Sequence, residues 1–552
     1  MKIKIIYAVN GMKYGRSRRE TDHYSIEIKK SASRTTVTLI PKTEMTLVSA
    51  AITEEYIYEK GDTIFLNGYQ SWTDTREYEL KESFRNISQL KRSRIPLFRK
   101  FVRKANNKYH FENYGDSWFY KYSPDKLHGF SYTYIRRGGD AHFIGSLNEE
   151  NAWLITEHCP KQNKLTLLSD CGGRVINEPF VLFDYVTYDG QYMQVQKKYF
   201  SLFGEKNTPA ISGYTSWYND FQNISEEKMY SAMSAMDSSA YDLFQIDDGF
   251  ETYVGDWLDI DKTKFPNGLK PLADKIHEKG MKAGIWLAPF VAEKESRLFK
   301  EHPEWLAKKS GEVIFAGYNW SGDAALDLMN PDVIAYIRKC LRFYIDQGFD
   351  FFKLDFLYAA ALCDTNGKYT RAEIMRKAMK LLREELGDKL FLGCGVPLSS
   401  AQGLVDYCRI GTDVSLAFDD KFYMRLAHRE PVSTKLTIQN TIYRYPMDGH
   451  WFRNDPDVFL LRDNNIKLKK AQKYALCTIN NLFGALYLTS DNTAKYNDEK
   501  KKTLEKAREF RNAEIISYKK TLNIVGIKYR LGGEEHRFLY DTDKGVITNA
   551  DR

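Results

Sequence analysis

The sequence predicts a multidomain chain, α/β and β. A central (β/α)8 TIM barrel carries an N-terminal antiparallel β-sandwich and a small C-terminal β domain. Three observations predict this. At 552 residues the chain exceeds one ordinary core. Residues 1–205 alternate apolar and polar in short segments separated by turn residues, which is the pattern of half-buried strands. Residues 206–496 instead alternate apolar runs with amphipathic stretches, and eight such runs in this span match the size of one barrel.

The sandwich rests on HYSIEIKK, RTTVTLIPK, DTIFLNGY, HGFSYTYI, AHFIGSL, AWLITEH, KLTLLSD and FVLFDYVTY. Between them, NGYQSW (67–72) reads as a turn with two large aromatics. Trp72 either fills the sandwich core or closes a pocket from the sandwich side. Residues 83–108 carry many cations and no acid. A nucleic-acid patch would interleave aromatics on a recognisable module, and none is present, so a solvated loop or flank between strands is expected.

The barrel strands are placed at 213–218, 243–248, 283–289, 351–356, 391–397, 406–413, 450–457 and 484–491. Helices such as PDVIAYIRKCLRFYIDQ and RAEIMRKAMKLLREEL fall between them. Residues 497–552 start with a charged helix and continue as alternating strands around Gly532 and Gly533, a linker helix and small β domain.

Hydrophobic content of 43% and charged content of 28% are those of a soluble globular protein, and a net charge of +8 is mild for this length. No nucleic-acid and no membrane partner is expected. Seven cysteines, odd in number and without CxxC spacing, argue against disulfides or a zinc site and for a reducing compartment. The N-terminus reads as a first strand, not a signal peptide, and no run has transmembrane length, so a cytoplasmic location is expected.

The chemistry concentrates at strand ends. In FFKLDFLY (351–358), Lys353 and Asp355 interrupt an apolar run two residues apart and so share one strand face. A buried Lys and Asp need partners, which makes the pair either a structural ion pair or a catalytic acid with a cation beside it. Trp217, Asp247, Asp248, Trp286, Cys394, Arg409 and Asp413 also fall at the C-terminal ends of predicted strands, where barrel enzymes place their chemistry. Asp247 and Asp248 sit in QIDDGFE, which is also an ordinary tight-turn sequence. The second Asp of the two must lie in the turn. A carboxylate magnesium site is the physical rival, but Lys353 and Arg409 already supply counter-charge. Acids, cations and Trp together suit a neutral polyhydroxy ligand.

FQIDDGFE, GDW, KFPNGLKPLADKIHEKGMKAGIWLAPF, FFKLDF, GCGVP, RIGTD and WFRNDPD, in that order, resemble an α-galactosidase of glycoside hydrolase family 36, short-chain and melibiase-like. The resemblance spans the barrel and reaches the sandwich through NGYQSW. It implies a retaining exo-α-galactosidase, with Asp355 as nucleophile and Asp413 as acid/base. It also implies a sugar site made by Asp247, Asp248, Lys353, Arg409, Trp217, Trp286 and Cys394. The substrates would be α-galactosyl oligosaccharides of the melibiose and raffinose type, with no metal or organic cofactor. The oligomeric state is left as monomer or small homo-oligomer. For these roles Lys353 should lower the pKa of Asp355, while burial and Asp355 should raise that of Asp413. KLDFLY stands where the commoner pattern is K-W-D-M-N-R, and RIGTD lacks the Ser/Asn-rich surroundings of longer members. Asp455 and Asp457 are expected to position the barrel floor or the region of Arg462, and His450 to be a packed histidine. The alternatives are a related α-glycosidase or transglycosylase, such as an α-N-acetylgalactosaminidase, and a non-catalytic carbohydrate-binding protein.

Overall fold

A computed structural model describes residues 2–84, 87–91, 93–420, 424 and 427–549. Two antiparallel sheets of seven strands each form the first part and end at Gln191. Their inner faces share one core: Ile5, Tyr7, Leu47 and Ile52 from one sheet meet Val37, Leu39, Phe183 and Tyr185 from the other. The alternation in KIKIIYAV produces this directly. Ile3, Ile5, Tyr7 and Val9 turn inward and Lys2 and Lys4 outward. Burial of each such side chain stabilises by roughly 1.5–3 kcal/mol.

The second part is a curled sheet of nine strands, every neighbouring pair parallel. Its strands include Ile211–Thr215, Leu243–Ile246, Lys282–Leu287, Phe351–Leu354, Leu390–Gly393, Tyr407–Arg409, Arg453–Asp455 and Leu486–Thr489, one overlapping each predicted run. The two edge strands are Arg453–Asp455 and Val458–Phe459, separated in the chain only by Pro456 and Asp457. The strands are short and buried along their length, as parallel strands covered on both faces are. Helices between them start and stop where their sequences dictate. Pro331–Asp346 opens with Asn330 accepting from the Asp332 amide and with Pro at its first position. Arg371–Leu386 opens on a Thr370–Glu373 capping box and ends at Gly387. Their apolar stripes, Val333, Ile337, Leu341 and Tyr344 in the first and Ile374, Ala378, Leu382 and Leu386 in the second, are buried.

The helix Asp498–Glu509 precedes a four-stranded antiparallel sheet over Glu514–Asn549. One expectation fails in the basic stretch. Residues 85, 86 and 92 lie outside the described residues. The rest is not loop: Pro96–Tyr109 is a helix, opened by Pro96 and closed by His110 in the left-handed conformation. Its cations hid a 3.6-residue period that buries Val102 and Asn106 four residues apart.

Candidate active site

A cavity of about 480 Å³ lies at the C-terminal ends of the parallel strands. Trp72, Trp217, Asp247, Asp248, Trp286, Lys353, Asp355 and Asp413 line it. Eight of the ten predicted site residues thus meet in one place. Arg409 and Cys394 do not line the cavity. They are buried behind it, Cys394 hydrogen-bonded to Asp355 and Arg409 ion-paired to Asp413.

Asp355 follows the strand Phe351–Leu354 directly and is anchored by its own backbone, its amide donating to Leu287 O at 2.8 Å. Its carboxylate accepts from the Phe356 amide at 2.7 Å and from Trp286 Nε1 at 3.3 Å. The first bond depends on an unusual backbone. Phe356 has φ of +53°, a left-handed conformation costly for a large side chain, which aims its N–H back at the preceding carboxylate. Trp320 and Asp457, also at the site, have φ of +49° and +72°.

Lys353 does face the cavity, but its ammonium pairs with Asp247 at 2.9 Å. The expected lowering of Asp355 by Lys353 is therefore only partial. Burial dominates and leaves the Asp355 carboxyl above its ordinary range. Lys353, the Cys394 thiol and the Phe356 amide pull it down, and Asp413 pushes it further up. Asp413 is not deeply buried: its side chain is 37% exposed and paired to Arg409 at 2.9 Å.

Asp247 and Asp248 both lie past the end of Leu243–Ile246, the first in the turn as well as the second, and both are buried. Asp247 accepts from Lys353, from Gln245 Nε2 at 2.7 Å and from Thr215 Oγ1 at 3.2 Å. Asp248 accepts from Trp320 Nε1 at 2.9 Å and from Gln222 Nε2 at 3.1 Å. Glu251, buried beside it, has its carboxyl pushed well above the ordinary range by burial and by the Asp248 carboxylate to which it is hydrogen-bonded.

Several of these residues escape the sequence reading. Trp320 sits in the insertion between the third and fourth parallel strands, and Gln222 follows the first. Phe111 and Tyr114 reach the cavity from the segment Phe111–Tyr114, alongside Phe356, His428 and Glu430. An isolated aromatic in an insertion carries no spacing signal, so only a count of Trp near strand ends would have flagged Trp320. Asp455 and Asp457 are not at the barrel floor. They bind Arg409 from behind, both at 2.8 Å. His450 lies apart from the cavity and binds Gly204 O at 2.7 Å. Trp72 lines the cavity from the sandwich side. Its ring packs edge-on to Phe356 at 5.3 Å and is only partly buried.

Among the described residues no group of three or more His, Cys, Asp or Glu is arranged to hold a metal ion, and no helix is long and apolar enough to cross a membrane. The seven cysteines are free and buried.

A curled parallel sheet thus carries carboxylates and tryptophans around one cavity at its C-terminal edge. Residues 191–378 match the Melibiase family model. Part of the chain is also similar in sequence to proteins named as α-galactosidases. The α-galactosidase Mel36A of Lactobacillus acidophilus is 34% identical over 103 residues, 17% of this chain and 14% of that protein. The α-xylosidase XylQ of Lactiplantibacillus pentosus is 30% identical over 183 residues, 31% of this chain and 23% of that protein. The aligned region spans less than a quarter of either relative. In overall fold the chain is similar to the α-galactosidase TtGalA of Thermus thermophilus, solved with p-nitrophenyl α-D-galactopyranoside. The TM-score is 0.72 at 23% identity, covering 96% of this chain and 98% of that one.

Proposed function

We propose that the chain is a retaining exo-α-galactosidase that removes terminal non-reducing α-D-galactosyl residues from oligosaccharides of the melibiose and raffinose type. The observation that carries this is the shared cavity: Asp355 after the fourth main parallel strand and Asp413 after the sixth open onto one space walled by tryptophans. Adjacent strands would crowd two such acids, whereas these are separated by the strand Leu390–Gly393. Retention asks for carboxyl groups about 5–5.5 Å apart, against about 6.5–9.5 Å for inversion.

In this reading Asp355 attacks the anomeric carbon. The Phe356 amide and the Trp286 indole fix its oxygens, and Asp413, reachable from solvent, protonates the leaving oxygen. Water activated by Asp413 then releases galactose with its configuration kept. Asp247 and Asp248, already oriented by Lys353, Trp320 and Gln222, accept from sugar hydroxyls, and Trp217 and Trp286 cover the ring. The nine-stranded sheet then reads as an eight-stranded barrel whose seventh strand is broken at Pro456, with domains at 1–205, 206–496 and 497–552. The Thermus thermophilus relative, also solved with stachyose, supports the substrate class.

The experiment is labelling with a 2-fluoro-galactosyl inactivator, which should mark the peptide containing Asp355. Asp355→Ala should lose at least about three orders of magnitude in turnover with the melting temperature preserved. Full activity in that variant, or a first product of inverted configuration, would refute the assignment. Because burial raises Asp355 and the nucleophile must be ionised, kcat/KM should rise with pH through a limb above the ordinary carboxylate range. An acid limb near pH 4 would contradict it.

A further inference from the structure

The helix Pro96–Tyr109 buries one side, Val102 in a small cluster with Ile87 and Ala427 and Asn106 against Glu112. Its other side is not the polar face that a surface helix ordinarily shows. Leu97 is 80% exposed, Phe101 69%, Phe98 42%, and Ile95 just before the helix 64%. Single exposed apolar residues are common, but four within seven positions form a patch. Arg94, Arg99, Lys100, Arg103, Lys104 and Lys108 share the stretch with no acid. None of these six is ion-paired to a carboxylate among the described residues, whereas neighbouring Lys91 pairs with Glu112 at 2.7 Å.

We propose that this helix is a docking element for an anionic lipid surface. It lies in the headgroup plane with Leu97, Phe98 and Phe101 inserted and the cations on phosphate oxygens. The occupant follows from charge complementarity. A face that is both apolar and wholly cationic matches a layer where negative charge borders an apolar phase. A second copy docked through the same face would set six cations against six, in a chain already at +8. The sequence reading expected no membrane partner because no segment spans one. An interfacial helix needs no span. Because the helix runs straight into Phe111–Tyr114, which lines the cavity, docking would hold the mouth of the site beside the lipid surface.

The test is co-sedimentation of the full chain with vesicles of phosphatidylcholine alone and with about one-third phosphatidylglycerol. Binding should be at least about ten-fold stronger to the anionic vesicles and should weaken with salt. Leu97→Ser with Phe101→Ser, and separately Lys100→Glu with Lys104→Glu, should each reduce it about ten-fold at unchanged melting temperature. Equal binding to both vesicle types, no binding to either, or retained binding in both double variants would overturn the proposal. So would sedimentation velocity showing a dimer that Leu97→Ser with Phe101→Ser disperses, which would assign the face to a second copy.

Discussion

Asp457 shows how much of the site depends on one residue outside the cavity. Its carboxylate binds Arg409 Nη2, accepts from the amide of Val414, the residue after Asp413, at 2.7 Å, and accepts from the Tyr218 hydroxyl. It therefore fixes Asp413 twice, through the adjoining backbone and through the guanidinium that Asp413 shares. Arg409, Asp413, Asp455 and Tyr218 are the charged or titratable groups facing it, and burial against them pushes its carboxyl up to about 7. Below that pH Arg409 answers two carboxylates. Above it Asp457 competes with Asp413 for the same guanidinium. The profile of kcat against pH should carry an inflection near 7 that Asp457→Asn removes. That variant should lower kcat about ten- to a hundred-fold and change KM less, since it touches no sugar. An unchanged profile would make Asp457 a purely structural residue.

At the scale of elements, the first 205 residues reach the site through Phe111–Tyr114 and through the turn NGYQSW, and a buried arginine is central to holding that turn. Arg444 is buried, with no ion pair to a carboxylate among the described residues. Its guanidinium donates to Ser71 O, Ile410 O at 2.7 Å, Gln70 O at 3.0 Å and Asn67 Oδ1 at 3.2 Å, and burial lowers its pKa to about 10. The Ser71 amide donates to Val396 O at 3.0 Å, and Gly395, with φ of +52°, leaves room for the Trp72 ring 2.8 Å from where a Cβ would stand. Arg444→Met should orphan these carbonyls, cost about 3–5 kcal/mol by denaturant unfolding, and raise KM as Trp72 loosens. Retained stability and KM would show that the turn holds itself. The strands and the acids after them were legible because period-2 and apolar-run patterns are local. So was the turn as a turn. Arg444 was not, since its partners in the turn lie more than 370 positions away in the chain. The helix Pro96–Tyr109 was hidden for a different reason: charge dominated its composition and masked its period.

Over the whole molecule, the sandwich and the part that carries the parallel sheet bury acids that are protonated more readily in the fold than in the open chain. Glu149, beside Ser146 and the Leu154 amide, is raised by burial to about 7, as is Asp323 beside Asn319, and Asp457 makes a third. An acid with a raised folded pKa contributes stability that is complete below its unfolded pKa, near 4, and is lost as pH rises through its folded value. All three run in the same direction. Buried His158, pushed down to about 3, and His128, also lowered by burial, run the other way below about pH 6.5, but the raised acids, with Glu251 and Asp355 added, outnumber them. The fold should therefore melt higher at pH 5 than at pH 8, by a few degrees for a chain of this size. Glu149→Gln and Asp323→Asn should each flatten that slope while leaving the pH 5 melting temperature nearly unchanged, because at that pH each replaces a neutral acid by a neutral amide. Scanning calorimetry across pH 5–8 checks this. A melting temperature that climbs toward pH 8 would mean that these carboxyls are charged in the fold and that buried cations, not protons, balance them.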